Sequence, residues 1–102
     1  MTRIIIAEDH QVVREALRLL LETQPDFQVI AETGDGLEAA ALAERHKPDI
    51  LIADMIMPGL SGLEVARRSK RVSPSTRVIV LSMHDAESYV VESLQAASPV
   101  TC

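Results

Sequence analysis

Short apolar runs alternate with longer segments of helical periodicity along this chain. The runs at residues 4–7 and 50–53 contain no polar side chain, which is typical of strands buried on both faces of a parallel sheet. Elsewhere apolar residues recur every three or four positions. Val13, Leu17 and Leu20 predict an amphipathic helix in this way, and Ala16 and Leu21 widen its apolar stripe. The predicted strands cover residues 3–7, 27–31, 50–54 and 77–81, and the predicted helices cover residues 11–23, 37–46, 62–72 and 86–97.

Turn and capping residues fall at the joints between these elements. Pro25, Pro48 and Pro74 come after the predicted helices, as expected of residues that cannot continue a helix. Ser61 and Glu64 have the spacing of a capping box and predict the start of the third helix. The order β-α-β-α-β-α-β-α leaves connections that suit crossover helices, so the sequence predicts an α/β fold with a doubly wound parallel sheet.

Composition narrows the class of protein. The 102 residues suffice for one domain at most, and 47% hydrophobic with 25% charged residues is ordinary for a globular chain. The net charge is −5 and the largest basic cluster is Arg67-Arg68 with Lys70-Arg71, which disfavours nucleic-acid binding by this chain.

A single cysteine, Cys102, argues against a disulfide framework and a zinc site. Without a signal peptide or a long apolar span, we expect a cytoplasmic protein with no membrane partner.

Carboxylates stand at the ends of two apolar runs. Glu8 and Asp9 follow the first strand, and Asp54 ends the third. Because parallel sheets bind ligands beyond the carboxyl ends of their strands, neighbouring strands would bring these acids into one pocket. Like charges so close are unfavourable unless a cation lies among them. With no histidine or cysteine at a metal-ligand spacing, we expect an oxygen-only cluster that favours Mg²⁺ over zinc.

Each of these residues also has a purely structural interpretation. Asp9 suits the N-cap of the first helix, Glu8 suits a solvated loop acid, and Asp54 suits a loop acid. The pairing of Asp54 with Glu8 and Asp9 favours the functional interpretation of Asp54. The histidines are expected at the surface rather than as ligands; they are His10, His46 and His84.

Five motifs follow one another along the chain: Ile6-Ala7-Glu8-Asp9-His10, Val13-Arg14-Glu15, Gly34-Asp35-Gly36, Asp54 with Met57-Pro58-Gly59 and Gly62, and Leu81-Ser82-Met83-His84-Asp85. Over residues 1 to about 97 the sequence resembles the receiver domain of two-component response regulators, in the subfamily with LuxR/NarL-type output domains. The resemblance implies a flavodoxin-like sheet with the strand order 2-1-3-4. It also implies a signalling role rather than enzymatic turnover.

The resemblance assigns a role to each site residue. Asp54 would accept a phosphoryl group from a histidine kinase, and Mg²⁺ would be held by Asp9, Asp54 and, through water, Glu8. The backbone carbonyl of Ile56 would be a further Mg²⁺ ligand. Ser82 would contact the phosphoryl group and move toward it, although taken alone it suits an ordinary hydroxyl at a strand end.

The resemblance breaks at the C-terminal end. The family has a fifth strand with an aromatic residue and a lysine, whereas the equivalent stretch here is Ser98-Pro99-Val100-Thr101-Cys102. Thr101 falls near the aromatic position, and Lys47 and Lys70 are expected too far from the pocket to replace the lysine. We therefore interpret residues 1–102 as a receiver domain that is incomplete at its C-terminus and carries no output domain. We expect impaired switching, and homodimerisation or exchange of elements at the open edge of the fourth strand.

Two other functions stay open from the residues alone. One is a dimerisation module that keeps the receiver fold and acts without phosphorylation. The other is a Mg²⁺-dependent phosphohydrolase, which needs a second aspartate two residues after its nucleophile; Ile56 occupies that position and disfavours an enzyme. DNA binding belongs to the output domain in this family, and we expect no nucleic-acid partner for this chain.

Overall fold

The computed structural model describes residues 1–81, where three helices and four strands alternate. Their bounds are β1 (Thr2–Ala7), α1 (Gln11–Glu22), β2 (Phe27–Thr33), α2 (Gly36–His46), β3 (Ile50–Asp54), α3 (Gly62–Val72) and β4 (Arg77–Leu81). Every element predicted within this range is present, so the predicted alternation is confirmed. The predicted helix at residues 86–97 lies outside the described residues.

The four strands form one parallel sheet in the order β2-β1-β3-β4. The predicted fold class and strand order are therefore confirmed. β1 and β3 lie side by side in the centre, with Ile6 opposite Ile52 and Ala7 opposite Ala53. Because these strands run in the same direction, their carboxyl ends open at the same edge of the sheet.

β2 extends further than predicted, to Thr33 instead of residue 31. Glu32 pairs with Ile6 and Thr33 with Ala7, and the Glu8 amide donates to the Thr33 carbonyl at 2.9 Å. These two residues of β2 are polar and gave no hydrophobic signal. Backbone pairing with the buried β1 nevertheless continues through them, because buried amides and carbonyls need partners. The extension brings Glu32 close to the end of β1.

A buried core fills the face of the sheet that carries α2 and α3. Alternate strand side chains, among them Ile5, Leu51 and Val80, point to this face and are fully buried. α2 contributes small residues, Ala39 and Ala43, which let the helix lie close to the sheet. This closely packed face holds the helices that position the loops at the carboxyl edge.

α1 covers the opposite face and is less buried. Leu17 and Leu21 pack against a cluster that includes Ile4 and Ile6, whereas Leu20 is 67% exposed. The predicted apolar stripe is therefore right for Leu17 and wrong for Leu20, because the helix follows the four-residue step onto the sheet. Within residues 1–81, no helix has both the length and the apolar character needed to cross a bilayer.

Side-chain caps start α2 and α3 but not α1. Asp35 caps α2 and Ser61 caps α3, each accepting a hydrogen bond from a backbone amide of the first turn. The N-cap residue of α1 is His10, which makes no side-chain cap hydrogen bond. The capping interpretation of Asp9 is therefore wrong, and its carboxylate is left for other contacts.

A polar network closes the amino-terminal edge of the sheet. The Asp49 carboxylate accepts from the Arg3 amide at 2.8 Å, and the Arg3 guanidinium donates to the carbonyl of His46 at 2.9 Å. The buried Thr76 hydroxyl donates to the Pro48 carbonyl at 2.5 Å. His46 is half-buried in this network, in contrast to the surface position expected for it.

Candidate metal centre

The acidic cluster lies at the carboxyl-terminal edge of the sheet. Glu8 and Asp9 follow β1, and Asp54 is the last residue of the neighbouring β3. Carboxylate oxygens of these three residues and a ring nitrogen of His10 all lie within 4.8 Å of one another. The predicted convergence of the three acids in one pocket is therefore confirmed, while their individual roles stay predictions.

The acids of the cluster differ in exposure. Glu8 is 4% exposed and Asp54 is 8% exposed, whereas Asp9 and His10 are exposed. Two carboxylates thus form a buried floor, where charge is poorly solvated, and the third lies at the solvent-facing rim. The pocket is open to solvent on the Asp9 side.

His10 belongs to this cluster, which the sequence did not indicate. Its ring is exposed, as expected, yet Nδ1 lies 2.7 Å from Glu8 Oε1 and 3.1 Å from Asp9 Oδ1. Its backbone amide also donates to Glu8 Oε1 at 3.2 Å. The expectation that no histidine lies near the acids is therefore wrong, because the turn between β1 and α1 brings the ring back to the preceding acids. The available hint in the sequence was that His10 directly follows Asp9, but His10 does not lie at a spacing typical of metal ligands.

Burial and mutual repulsion perturb the pKa values in the pocket. Burial is the largest influence on Asp54, followed by the charge and hydrogen bond of Glu8 and the charge of Asp9, and the pKa rises from 3.8 to about 6. A hydrogen bond from the Ile56 backbone lowers it in part. The pKa of His10 is raised, first by its hydrogen bond to Glu8 and then by the charges of the acids. The pocket therefore retains a proton where an isolated aspartate has lost it.

The donor set suits a hard divalent cation. Three carboxylates supply charged oxygens, and the raised pKa of Asp54 reflects its burial and, after that, repulsion by Glu8 and Asp9, which a cation would relieve. Oxygen donors of this kind are those that Mg²⁺ prefers. His10 adds an imidazole nitrogen, which transition-metal ions also accept.

The loop after Asp54 docks against the start of α2. The Gly36 amide donates to the Pro58 carbonyl at 2.8 Å, and a Cβ at position 36 would collide with the backbone of Leu60. Glycine at this position allows the close approach. The contact fixes the loop that carries Ile56, whose side chain is 72% exposed. The predicted role of the Ile56 carbonyl as a ligand stays a prediction.

Ser82 lies outside the described residues, as do His84 and Thr101. Its predicted contact to a phosphoryl group therefore stays a prediction. The preceding residue, Leu81, lies opposite Asp54, and its carbonyl accepts from the Met55 amide at 2.7 Å. The end of β4 thus lies beside the end of β3 at the acidic edge.

Known proteins are similar to this chain in sequence. A family model for the response regulator receiver domain matches residues 4–98. The transcriptional regulatory protein DegU from Brevibacillus brevis is 38% identical over 96 residues, which are 94% of this chain and 41% of DegU. The chain thus spans less than half the length of this relative.

Solved structures of response regulators are similar in fold. The signal receiver domain of NarL from Mycobacterium tuberculosis has a TM-score of 0.79 and 34% identity, covering 92% of this chain and 76% of that chain. RcsB from Salmonella enterica serovar Typhimurium, bound to promoter rprA in the presence of the phosphomimetic BeF3−, has a TM-score of 0.74 and 32% identity. That match covers 80% of this chain and 42% of the RcsB chain.

Proposed function

This chain belongs to the response regulator receiver domain family, and from that premise we propose that it accepts a phosphoryl group on Asp54 from a histidine kinase. The relatives and structural neighbours are response regulators of the LuxR/NarL type. The proposal concerns the phosphorelay step that a receiver domain performs, with Asp54 as the nucleophile.

One observation carries the proposal: a carboxylate at the end of a central strand is buried beside two other acids. Asp54 is 8% exposed and its pKa is raised to about 6, so the pocket disfavours its own charge. Perturbed carboxyls in a pocket are typical of functional sites, since a purely structural site gains nothing from such repulsion. The arrangement is explained by a cationic ligand bound among the acids.

We assign the ligands of Mg²⁺ from the resemblance to the family. Asp9 and Asp54 would hold the ion, Glu8 would hold it through water, and Ile56 would contribute its backbone carbonyl. When bound, the ion would neutralise charge on the oxygens of the transferring phosphoryl group. A carboxylate oxygen of Asp54 forms a bond to phosphorus as the bond from phosphorus to the imidazole nitrogen of the kinase breaks. The electron pair stays on that nitrogen, and an aspartyl phosphate results.

Ser82, the next residue in the sequence after β4, is the proposed phosphoryl contact. It directly follows Leu81, which pairs with Asp54 across the sheet. Its hydroxyl would donate a hydrogen bond to a phosphoryl oxygen. We further propose that the conformational response to phosphorylation is impaired. In the family an aromatic residue moves together with the hydroxyl residue, and Thr101 stands near that aromatic position here.

A Mg²⁺ titration against thermal stability tests the metal site. We expect weak binding to the wild type, and no stabilisation by Mg²⁺ in Asp54→Asn or Asp9→Ala, because each variant removes one ligand. Asp49→Asn at the opposite edge of the sheet is the matched control and should respond as the wild type does. Equal stabilisation of all four proteins would overturn the assignment.

Phosphorylation is tested with acetyl phosphate as a small phosphoryl donor in the presence of Mg²⁺. The wild type should gain the mass of one phosphoryl group, which hydroxylamine should release as expected of an acyl phosphate. Asp54→Asn should gain none. A phosphoryl group that persists in Asp54→Asn would show that the acceptor is another residue.

Regulation of transcription is proposed only for a longer protein. DegU is a transcriptional regulatory protein, and RcsB was observed on promoter DNA. This chain covers less than half of either protein and carries a net charge of −5. We therefore propose that any DNA contact requires residues other than these.

A second candidate function is association that does not depend on phosphorylation. The observation that favours it is an apolar strip on α1, where Val12, Leu19 and Leu20 are 79%, 61% and 67% exposed. Exposed apolar side chains grouped on one helix favour burial against a partner, which here would be a second copy of the chain. Sedimentation over a concentration series should show a homodimer with and without beryllofluoride and Mg²⁺. A monomer that dimerises only with beryllofluoride would overturn this candidate.

A further inference from the structure

Arg14 connects α1 to the turn that carries two of the three acids. Its Nη1 donates to the backbone carbonyl of Glu8 at 2.7 Å. Its Nε lies 3.5 Å from Oε1 of Glu32, on the extended end of β2. The side chain is 23% exposed, so the guanidinium lies largely within the structure. One residue thus joins a helix, a strand and the loop at the edge of the metal centre.

Apart from Arg14, His10 holds the side chains of the turn between β1 and α1, since its amide and ring contact the Glu8 carboxylate and its ring contacts Asp9. α1 has no side-chain cap and no acidic residue in its first turn. The Glu8 amide is held by the Thr33 carbonyl, which leaves the following peptide to Arg14. Gly34 makes room for the contact, since a Cβ there would lie 3.3 Å from Arg14 Nη1 and 3.4 Å from Asp9 Cα.

We propose that Arg14 is a positioning residue for the cation site, a role that rests on the function proposed above. By holding the Glu8 carbonyl, the guanidinium fixes the direction in which the Glu8 and Asp9 side chains leave the turn. The acids are then in place before the cation arrives, so that binding does not have to order them. Groups that orient metal ligands in this way typically change affinity by about 10-fold to 100-fold when removed.

The direction of the change in Mg²⁺ affinity on removal of Arg14 distinguishes a positioning role from simple electrostatic repulsion. A guanidinium close to the acids repels an incoming cation, so loss of its charge alone would strengthen Mg²⁺ binding. Positioning predicts the opposite, because the acids lose their fixed directions. A weaker affinity after removal of Arg14 therefore cannot come from the charge change.

Arg18 provides a matched control on the same helix. It lies one turn further along α1, and its guanidinium pairs with the same Glu32 at 3.0 Å and with Glu22 at 3.4 Å. Arg18→Gln therefore removes the same charge and an ion pair to the same carboxylate. It leaves the hydrogen bond from Arg14 to the Glu8 carbonyl in place.

The experiment measures Mg²⁺ affinity by calorimetry in the full chain. It also measures hydrogen exchange without Mg²⁺ at the His10 amide, which donates to the Glu8 carboxylate. Arg14→Gln should raise the Kd for Mg²⁺ about 10-fold, and Arg14→Lys should raise it less because a donor is kept. Arg18→Gln should change the Kd by less than about 2-fold. Exchange at the His10 amide should accelerate in Arg14→Gln and stay as in the wild type in Arg18→Gln.

Each outcome supports or overturns the positioning role of Arg14. An unchanged or tighter Kd in Arg14→Gln, or equal weakening in Arg14→Gln and Arg18→Gln, would overturn the positioning role. If Arg14→Gln does not fold, Arg14→Lys carries the test, and a Kd equal to that of the wild type would overturn it. If the wild type binds no Mg²⁺, the proposed function fails, whereas unchanged His10 amide exchange in the Arg14 variants refutes the positioning of the turn.

Discussion

The two ends of the sheet are built on opposite principles. At the amino-terminal end, polar groups meet partners of complementary character, as the Arg3 amide meets Asp49 and the Thr76 hydroxyl meets the Pro48 carbonyl. At the carboxyl-terminal end, Glu8 and Asp54 are buried beside each other with the same charge. The first end stabilises the fold, and the second gives up stability, which the proposed cation site would explain.

The difference follows from the chemistry of a parallel sheet. Loops at both ends must satisfy backbone groups, and the amino-terminal end does so with side chains that donate to carbonyls. The carboxyl-terminal end also satisfies its backbone, but burial and the neighbouring carboxylates raise the pKa of Asp54.

The largest effect is expected from Thr76→Val at the amino-terminal end. Valine keeps the shape of threonine but leaves the buried Pro48 carbonyl without the hydroxyl that donates to it at 2.5 Å. We expect a loss of about 2 kcal/mol in urea unfolding without Mg²⁺. Thr23→Val is the control, because the Thr23 hydroxyl donates to the Leu20 carbonyl at an exposed site, and it should cost less than about 0.5 kcal/mol. Similar losses in the free energy of unfolding for the two variants would show that the buried hydrogen bond contributes no more than the exposed one.

Asp54→Asn at the carboxyl-terminal end should act in the opposite direction. Removal of one of the like charges should stabilise the metal-free protein by about 1–2 kcal/mol near pH 7. Added Mg²⁺ should reverse the order of the two proteins, since the wild type alone gains from the ion. A metal-free variant less stable than the wild type would refute the view that this end stores repulsion.

The pH dependence of that gain is the third prediction. Asp54 has a pKa of about 6 in the folded protein against 3.8 ordinarily, so the folded state holds its proton more tightly. The stability from protonated Asp54 is complete below pH 3.8 and is lost as the pH rises through about 6. The advantage of Asp54→Asn should therefore nearly vanish near pH 4 and grow by about 2 kcal/mol toward pH 7. An advantage that is constant over this range would contradict the raised pKa.

The smallest effect is expected from Asp49→Asn at the amino-terminal end. The exposed Asp49 carboxylate accepts a hydrogen bond from the Arg3 amide at 2.8 Å. Asparagine keeps a side-chain oxygen that accepts the same bond. We expect a loss of about 0.5 kcal/mol and no change in the response to Mg²⁺. A stabilised Asp49→Asn variant would mean that both ends respond to loss of an acid in the same way, and the comparison would fail.

Much of the fold and part of the site were predictable from sequence. Apolar runs of strand length, separated by helix-length segments, require crossovers, and crossovers require a parallel sheet whose strand ends share one edge. That geometry alone brings Asp9 and Asp54 together, because they lie at the ends of two such runs. β2 was predicted too short, because Glu32 and Thr33 pair through their backbone and carry no apolar signal.

The chain by itself therefore determined which elements form and which end of the sheet carries the acids, since both follow from local periodicity and strand direction. The tertiary structure alone decided that His10 turns back onto Glu8 and that Arg14 bonds the Glu8 carbonyl while facing Glu32. It also decided that Thr76 finds the Pro48 carbonyl. Such contacts depend on distances of a few ångströms between segments remote in sequence, or on the course of one turn, and no periodicity in the chain encodes them.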